Sequence, residues 1–270
     1  MPELPEVETV RCGISPVVVG QKILKAQRSR HHLRGKLTTQ TIAELNGKSI
    51  EEVQRRGKYL LICLSTQEIL MIHLGMSGQL LINPLHQNAH DHLCVELSSN
   101  NRMVYRDPRR FGMLSLYENI PSFEKEKQLG PDGNSPQCTT EYIWQACQNT
   151  SKTIKSLLMD QRIIAGIGNI YASEILFATK VSPFKTGVLL TEYEFQQLTI
   201  QTKKILQAAI RAGGTSLKDH RQANGKLGYF QQQLNVYNKA GTECSICKCI
   251  IARDIQEGRA TFYCPQCQQA

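Results

Sequence analysis

The 270 residues carry 32 Lys and Arg against 23 Asp and Glu, a formal net charge of +9, and that excess favours a polyanionic partner such as nucleic acid. No charge-poor apolar run reaches the ~18 residues of a membrane span, and the N-terminus lacks the basic-then-apolar layout of a secretory signal. A cytosolic protein of about two domains, each able to bury its own core, is expected; there the ten cysteines point to metal binding or bystander thiols rather than disulfides.

The chain opens Met1-Pro2-Glu3-Leu4-Pro5-Glu6-Val7-Glu8. With Met1 removed, Pro2 would be a terminal secondary amine beside the Glu3 carboxylate, able to attack carbon and form an iminium. Terminal amines titrate near pH ~8, about two to three units below lysine. Such a nitrogen is better poised than a lysine as a covalent nucleophile at neutral pH. The plain alternative is a frayed terminus with Pro5 in the first turn of a helix. Val7, Val10 and Ile14 recur at helical spacing on one face. The basic run Arg28-Ser29-Arg30-His31-His32-Leu33-Arg34-Gly35-Lys36 reads as a solvated face.

From about residue 50 to 118 the pattern turns to short β-rich runs, among them Tyr59 to Leu64, Ile69 to Leu74, Leu80 to Ile82, Leu93 to Leu97, Met103 to Tyr105 and Met113 to Tyr117. Gly, Asn and Pro separate them, as in an antiparallel sandwich or barrel. The turns repeat one theme: Arg55-Arg56-Gly57-Lys58, His73-Leu74-Gly75-Met76-Ser77-Gly78, His90-Asp91-His92 and Asp107-Pro108-Arg109-Arg110-Phe111-Gly112. Cations beside glycine or an apolar side chain suit phosphate contacts plus a wedge into a base stack.

Residues 119–137 are rich in turn formers and read as a linker. Beyond them the period is helical. Ile154, Leu157 and Leu158 share a face, and Thr191-Glu192-Tyr193-Glu194 is a capping box opening a helix with Phe195, Leu198 and Ile205 near one face, ended by Gly213-Gly214. Between these lies Gly166-Ile167-Gly168-Asn169-Ile170-Tyr171-Ala172-Ser173-Glu174, where glycines allow close approach and a helix start offers N–H groups to an anion. No strand precedes it, which argues against a dinucleotide-binding turn. Near the end, Cys244-x2-Cys247 and Cys264-x2-Cys267, with 16 residues between the pairs, match a four-cysteine structural zinc site. Cys249 is outside that spacing.

Five segments in order resemble the formamidopyrimidine-DNA glycosylase family of base-excision repair: Pro2 to Glu8, His73 to Gly78, Asp107 to Gly112, Gly168-Asn169-Ile170-Tyr171 and Arg259-Ala260-Thr261-Phe262-Tyr263-Cys264. The resemblance implies a multi-domain α+β fold. An N-terminal β-sandwich (1–118) would be followed by a linker (119–137), a helix–two-turn–helix domain with a lesion loop (138–235) and a zinc-finger β-hairpin (236–270), with DNA held in a cleft. It also implies a monomeric bacterial enzyme, cytoplasmic and associated with the nucleoid through DNA. Its partner would be double-stranded DNA containing oxidised bases or abasic sites, and its cofactor one structural Zn2+ on Cys244, Cys247, Cys264 and Cys267.

The implied chemistry is covalent. Pro2 would attack C1′ of a nucleotide carrying 8-oxoguanine or a formamidopyrimidine, with Glu3 as general acid/base at the sugar. The iminium would acidify C2′, so β- and then δ-elimination cut the strand, with Lys58 and Arg259 as the respective proton donors. Flipping the damaged base out of the duplex costs a few kcal/mol and leaves a gap, for which Met76, Arg109 and Phe111 match the family's intercalating residues. His73, His90, Lys152, Lys155, Asn169 and Arg259 are the expected phosphate contacts. Gly213 to Lys218, and on to Tyr229, resembles the loop that closes over the flipped base. The chain departs from the family's pattern at His220, at Asp132-Gly133 and at Cys12, none of which touches the expected nucleophile. Three rivals are a sibling glycosylase for oxidised pyrimidines, a non-catalytic zinc-ribbon DNA-binding protein, and a metal-dependent nuclease, which would need a carboxylate cluster that the sequence lacks.

Overall fold

The computed structural model describes every residue except 32, 149, 216–232 and 270. The expected lesion loop beyond Thr215, with His220, therefore lies outside the described residues. Two compact units divide the chain. One holds Met1–Gln128 with the described residues of Ala212–Tyr229; the other holds Leu129–Arg211 with the described residues of Phe230–Ala270.

The first unit is a β-sandwich capped by a helix. Helix α1 (Leu4–Val18) buries Leu4, Val7, Val10, Ile14 and Val18 completely, each contributing roughly 1.5–3 kcal/mol of apolar transfer. Pro5 sits in its first turn, where the missing N–H is no loss. A short helix, α2 (Thr39–Ala43), follows β1 (Ile23–Arg28). The remaining strands are β2 (Ile50–Arg56), β3 (Tyr59–Leu64), β4 (Ile69–His73), β5 (Gln79–Ile82), β6 (Asp91–Leu97), β7 (Arg102–Arg106) and β8 (Met113–Tyr117). They form two antiparallel four-stranded sheets, ordered β1-β6-β7-β5 and β2-β3-β4-β8. Residues from α1 and from both sheets meet in one apolar cluster. Strand β1 has no counterpart among the sequence-derived runs, because only Ile23 and Ala26 of its six residues are buried.

Inside the span expected to be a linker, Ile120–Lys127 forms a helix, α3. Asn119 caps it, its Oδ1 accepting from Ser122 N at 2.9 Å, and Gln128 ends it at φ +50°. Its one buried residue, Phe123, meets Tyr59 and Tyr117 edge-on at 5.6 and 5.5 Å. A single apolar anchor leaves almost no periodicity to read. Tyr59 shares its sheet face with Leu61 and with Met71, the partner of Leu61 across β3–β4, and both of these are buried.

The second unit packs α4 (Thr140–Cys147), α5 (Ile154–Met159), α6 (Asn169–Ala178) and α7 (Glu192–Arg211). Helix α6 is buried nearly all round, from Ile170 to Phe177. The capping box of α7 is present: Glu194 N donates to Thr191 Oγ1, and Thr191 N donates to Glu194 Oε2 at 2.7 Å. A hairpin of β9 (Ala252–Gln256) and β10 (Arg259–Tyr263) shares a small core with Phe177, Val236, Cys244 and Cys264. No helix among the described residues is long and apolar enough to cross a membrane.

Candidate active site

Pro2 and Glu3 are buried although they precede the first helical turn. Glu3 is the N-cap of α1, and Glu6 reaches back so that its Oε2 accepts the Glu3 N–H at 2.8 Å. The other Glu6 oxygen accepts from Thr215 N and Thr215 Oγ1 at 2.8 and 3.0 Å. One buried carboxylate thus fixes both the residue after Pro2 and the stretch that follows α7. A frayed terminus is excluded by this burial and by these bonds.

The β2–β3 turn brings Lys58 to the same region. Arg55 bonds Glu8 of α1 at 2.8 Å and the Gly57 carbonyl at 3.1 Å, so the turn is tied to the start of α1. Lys58 is buried. His73 enters through register, since Tyr59 pairs with His73 across β3–β4 and His73 with Met113 across β4–β8. Its ring lies 5.0 Å from that of Tyr59, and its Nδ1 accepts from Gly75 N at 3.1 Å. Burial, then the nearby cations Lys58, Lys127, Arg34 and the chain's terminal ammonium, push its pKa down to about 4. His73 is therefore neutral at physiological pH, with Nε2–H its donor, and the same cations make this region attractive to phosphate.

Two turns present the expected wedge residues. Met76 and Phe111 are 38% and 40% exposed, and neither belongs to the apolar cluster of the sandwich. Arg109 and Arg34 both place guanidinium carbons near the Phe111 ring, at 5.0 and 5.3 Å. Arg34 belongs to the run read above as a solvated face. Its position comes from the backbone running along β8, where Leu114 N donates to Arg34 O at 3.0 Å, and from Gly35, where a Cβ would meet Leu114 O at 2.1 Å. The glycine was the only sequence signal. His90 is exposed, and its carbonyl accepts from Asp107 N at 3.0 Å.

In the second unit Lys152, Lys155 and Arg259 line one cavity of about 160 Å³ with Asp160, Gln256 and Glu257. Lys155 is buried, its Nζ donating to Thr261 Oγ1 and Ala260 O at 2.7 and 3.2 Å. Burial and then Arg259 bring its pKa down to about 8. Lys152 is half exposed and pairs with Asp160 at 3.4 Å. Asn169 donates its amide to Ala260 O at 2.9 Å, while its Oδ1 is buried with no hydrogen-bond partner among the described residues. Sequence reasoning missed Glu174, whose buried carboxylate accepts from the backbone N–H groups of Asn235, Val236 and Tyr237 at 2.8, 3.0 and 2.8 Å. That carboxylate ties α6 to the strand of chain entering the cysteine module.

Cys244, Cys247, Cys264 and Cys267 place their sulfurs within 4.8 Å of one another. Cys247 and Cys264 are 3.4 Å apart and Cys244 and Cys267 3.9 Å, near the ~3.8 Å edge of a tetrahedron built on ~2.3 Å Zn–S bonds. Backbone N–H groups of Ile246 and Cys267 point at the Cys244 and Cys264 sulfurs, both at 3.4 Å, a setting suited to thiolate. The set fits one metal ion, and Cys249 stands outside it.

The formamidopyrimidine-DNA glycosylase N-terminal domain model matches residues 1–114, and that family's H2TH domain model matches residues 129–221. The chain belongs to the formamidopyrimidine-DNA glycosylase family. The family consists of DNA glycosylases with AP lyase activity. The Yersinia enterocolitica formamidopyrimidine-DNA glycosylase is 42% identical over 99% of this chain and 100% of its own length, and that of Roseobacter denitrificans 39% over 100% of both. Among solved structures, a mutant Lactococcus lactis FPG in complex with a Fapy-dG containing DNA is 34% identical, with a TM-score of 0.92 over 100% of both chains. The Thermus thermophilus MutM (FPG) protein is 35% identical, with a TM-score of 0.90 over 99% of this chain and 98% of its own.

Proposed function

We propose that this chain, once Met1 is removed, excises oxidised purines such as 8-oxoguanine and formamidopyrimidines from double-stranded DNA and then cuts the strand at the resulting site. The Pro2 nitrogen attacks C1′, the base leaves, and Glu3 supplies the proton that lets the sugar ring open. The iminium so formed withdraws electrons from C2′. Loss of the C2′ proton expels the 3′ phosphate by β-elimination with Lys58 assisting, and δ-elimination with Arg259 assisting expels the 5′ phosphate. Met76, Arg109 and Phe111 fill the gap left by the flipped nucleotide. His73, His90, Lys152, Lys155 and Asn169 hold phosphates, which gives a salt-sensitive affinity. Zn2+ on the four cysteines holds the β9–β10 hairpin that carries Arg259, with residues 236–270 acting as the zinc-finger segment.

The single observation that carries this reading is the buried Pro2–Glu3 pair at the cap of α1, with Lys58 and the terminal ammonium among the cations acting on one histidine. Borohydride trapping on an 8-oxoguanine duplex, with mass spectrometry locating the adduct, tests it. An adduct on the Pro2 nitrogen is expected, and a short uncleaved extension before Pro2 should abolish it, because an amide nitrogen cannot form the iminium. Strand cleavage with no trapped adduct would overturn the mechanism. A Lactococcus lactis relative has been solved with an oxidised pyrimidine containing DNA, so a panel of oxidised purines and pyrimidines decides the substrate class.

A further inference from the structure

We propose that Asp107 is a positioning residue that locks the Met76 turn and the Arg109–Phe111 turn into one wedge; this rests on the reading of those three side chains as the group that fills the DNA gap. Asp107 is a charged side chain with no exposure at all, a costly placement unless its oxygens are saturated with donors. The donors come from both turns. Ser77, beside Met76, donates its hydroxyl to Oδ1 at 2.5 Å. Arg109 N shares its proton between Oδ1 at 3.3 Å and Ser77 Oγ at 3.2 Å. Gly112 N, just past Phe111, donates to Oδ2 at 2.8 Å, and the Tyr105 hydroxyl donates to the same oxygen at 3.2 Å.

The backbones are pressed together around this carboxylate. A Cβ on Gly75 would stand 2.5 Å from Gly112 N and from the Phe111 carbonyl carbon, and one on Gly112 would overlap the Tyr105 hydroxyl at 1.7 Å. The backbone of Asp107 is held from behind as well: its carbonyl accepts from His92 Nε2 at 2.9 Å, and Ser29 Oγ lies 2.9 Å from His92 Nδ1. A carbonyl only accepts, so His92 carries its proton on Nε2 and Nδ1 takes the serine's. Among the described residues, the side-chain hydrogen bonds that join the two turns run through Asp107 and Ser77, with the Tyr105 hydroxyl adding a longer bond to Leu74 O at 3.4 Å. Without them, Met76 and Phe111 would enter the base stack as two independent loops.

The test uses full-length, N-terminally processed enzyme and a duplex with 8-oxoguanine and 2-aminopurine beside the lesion, whose fluorescence rises when the stack is opened. Wild type, Phe111→Ala, Asp107→Asn and Ser77→Ala are compared for that rise and for single-turnover excision. Asp107→Asn keeps the shape but turns donors toward donors. It should lose the fluorescence rise and slow duplex excision on the order of 100-fold, the scale of an ångström-level misplacement. Cleavage of a preformed abasic site in single-stranded DNA, which needs no wedge, should fall far less. Ser77→Ala should lose the rise in part. The double variant should be no worse than Asp107→Asn, because the two act as one unit. If Asp107→Asn fails to fold, Ser77→Ala carries the test alone. If wild type gives no rise, or Phe111→Ala rises like wild type, the wedge reading fails. If wild type rises, Phe111→Ala does not, and Asp107→Asn and Ser77→Ala both match wild type, the positioning role is refuted while the wedge stands.

Discussion

Glu174 offers a quantitative test of what moors the cysteine module. Its Oε1 takes the N–H groups of Val236 and Tyr237, and its Oε2 takes Asn235 N and, at 3.3 Å, Asn235 Nδ2. A glutamine can keep one oxygen on Val236 and Tyr237, but its NH2 then faces the Asn235 N–H. One orphaned donor costs about 1–3 kcal/mol, so Glu174→Gln should destabilise by about 2 kcal/mol. Alanine strands all three backbone donors, and about 4 kcal/mol is expected, within the range for stripping a buried charge from its partners. At roughly 2–4 °C per kcal/mol for a chain somewhat smaller than this one, Tm should fall about 4–8 °C for the glutamine variant and about 8–16 °C for the alanine. Differential scanning calorimetry measures both. Zinc release to a chromogenic chelator, followed in parallel, should be faster in the same order, since residues 235–237 lead directly into Cys244. A Glu174→Ala enzyme melting within about 2 °C of wild type would refute the claim that this carboxylate holds α6 to the module.

His73 should impose a pH dependence on stability. Its folded-state pKa of about 4 lies below the ordinary value of 6.5, so between these pH values the unfolded chain binds the extra proton and stability rises with pH. The contribution is present in full above pH ~6.5 and is lost as pH falls toward ~4, a change of about 3 kcal/mol for a shift of this size. Chemical denaturation at pH 7 and pH 4.5 should show this slope in wild type and a shallower one in His73→Gln; equal slopes would remove the assignment. For the metal, elemental analysis should find one zinc per chain in wild type and in Cys249→Ser, but little in Cys247→Ser. Chelation should abolish duplex binding and restored Zn2+ should recover it, whereas zinc retained by Cys247→Ser would contradict the four-sulfur site.

What periodicity and spacing could show, they showed. Val7, Val10 and Ile14 lie on one turn-to-turn stripe, so the core face of α1 was visible in the chain itself, and Met113 to Tyr117 reads as the strand it is. The cysteine pairs were legible because each Cys-x2-Cys is one local turn, and the sulfurs do converge. The family was legible because its motifs are short and contiguous. The amine-and-carboxylate start was legible only as a possibility. Its burial depends on Glu6 meeting Thr215, residues 209 positions apart.

The other determinants of the site needed the tertiary structure for the same reason. His73 reaches Lys58 and Tyr59 through the β3–β4 register, and a slip of one residue would turn its ring to the opposite face. Arg34 sits at Phe111 because a glycine lets its segment lie against β8. Asp107 and Glu174 look like ordinary surface acids in sequence, since nothing nearby in the chain says that backbone N–H groups from distant turns will fill their oxygens. The sequence by itself determined the buried stripe of α1, the strands β3 to β8, which cysteines cluster and which family the chain joins, while β1 and α3 escaped it. Only the folded chain decided which charges are buried, because the cost of burying a charge is set by donors that arrive from elsewhere in the molecule.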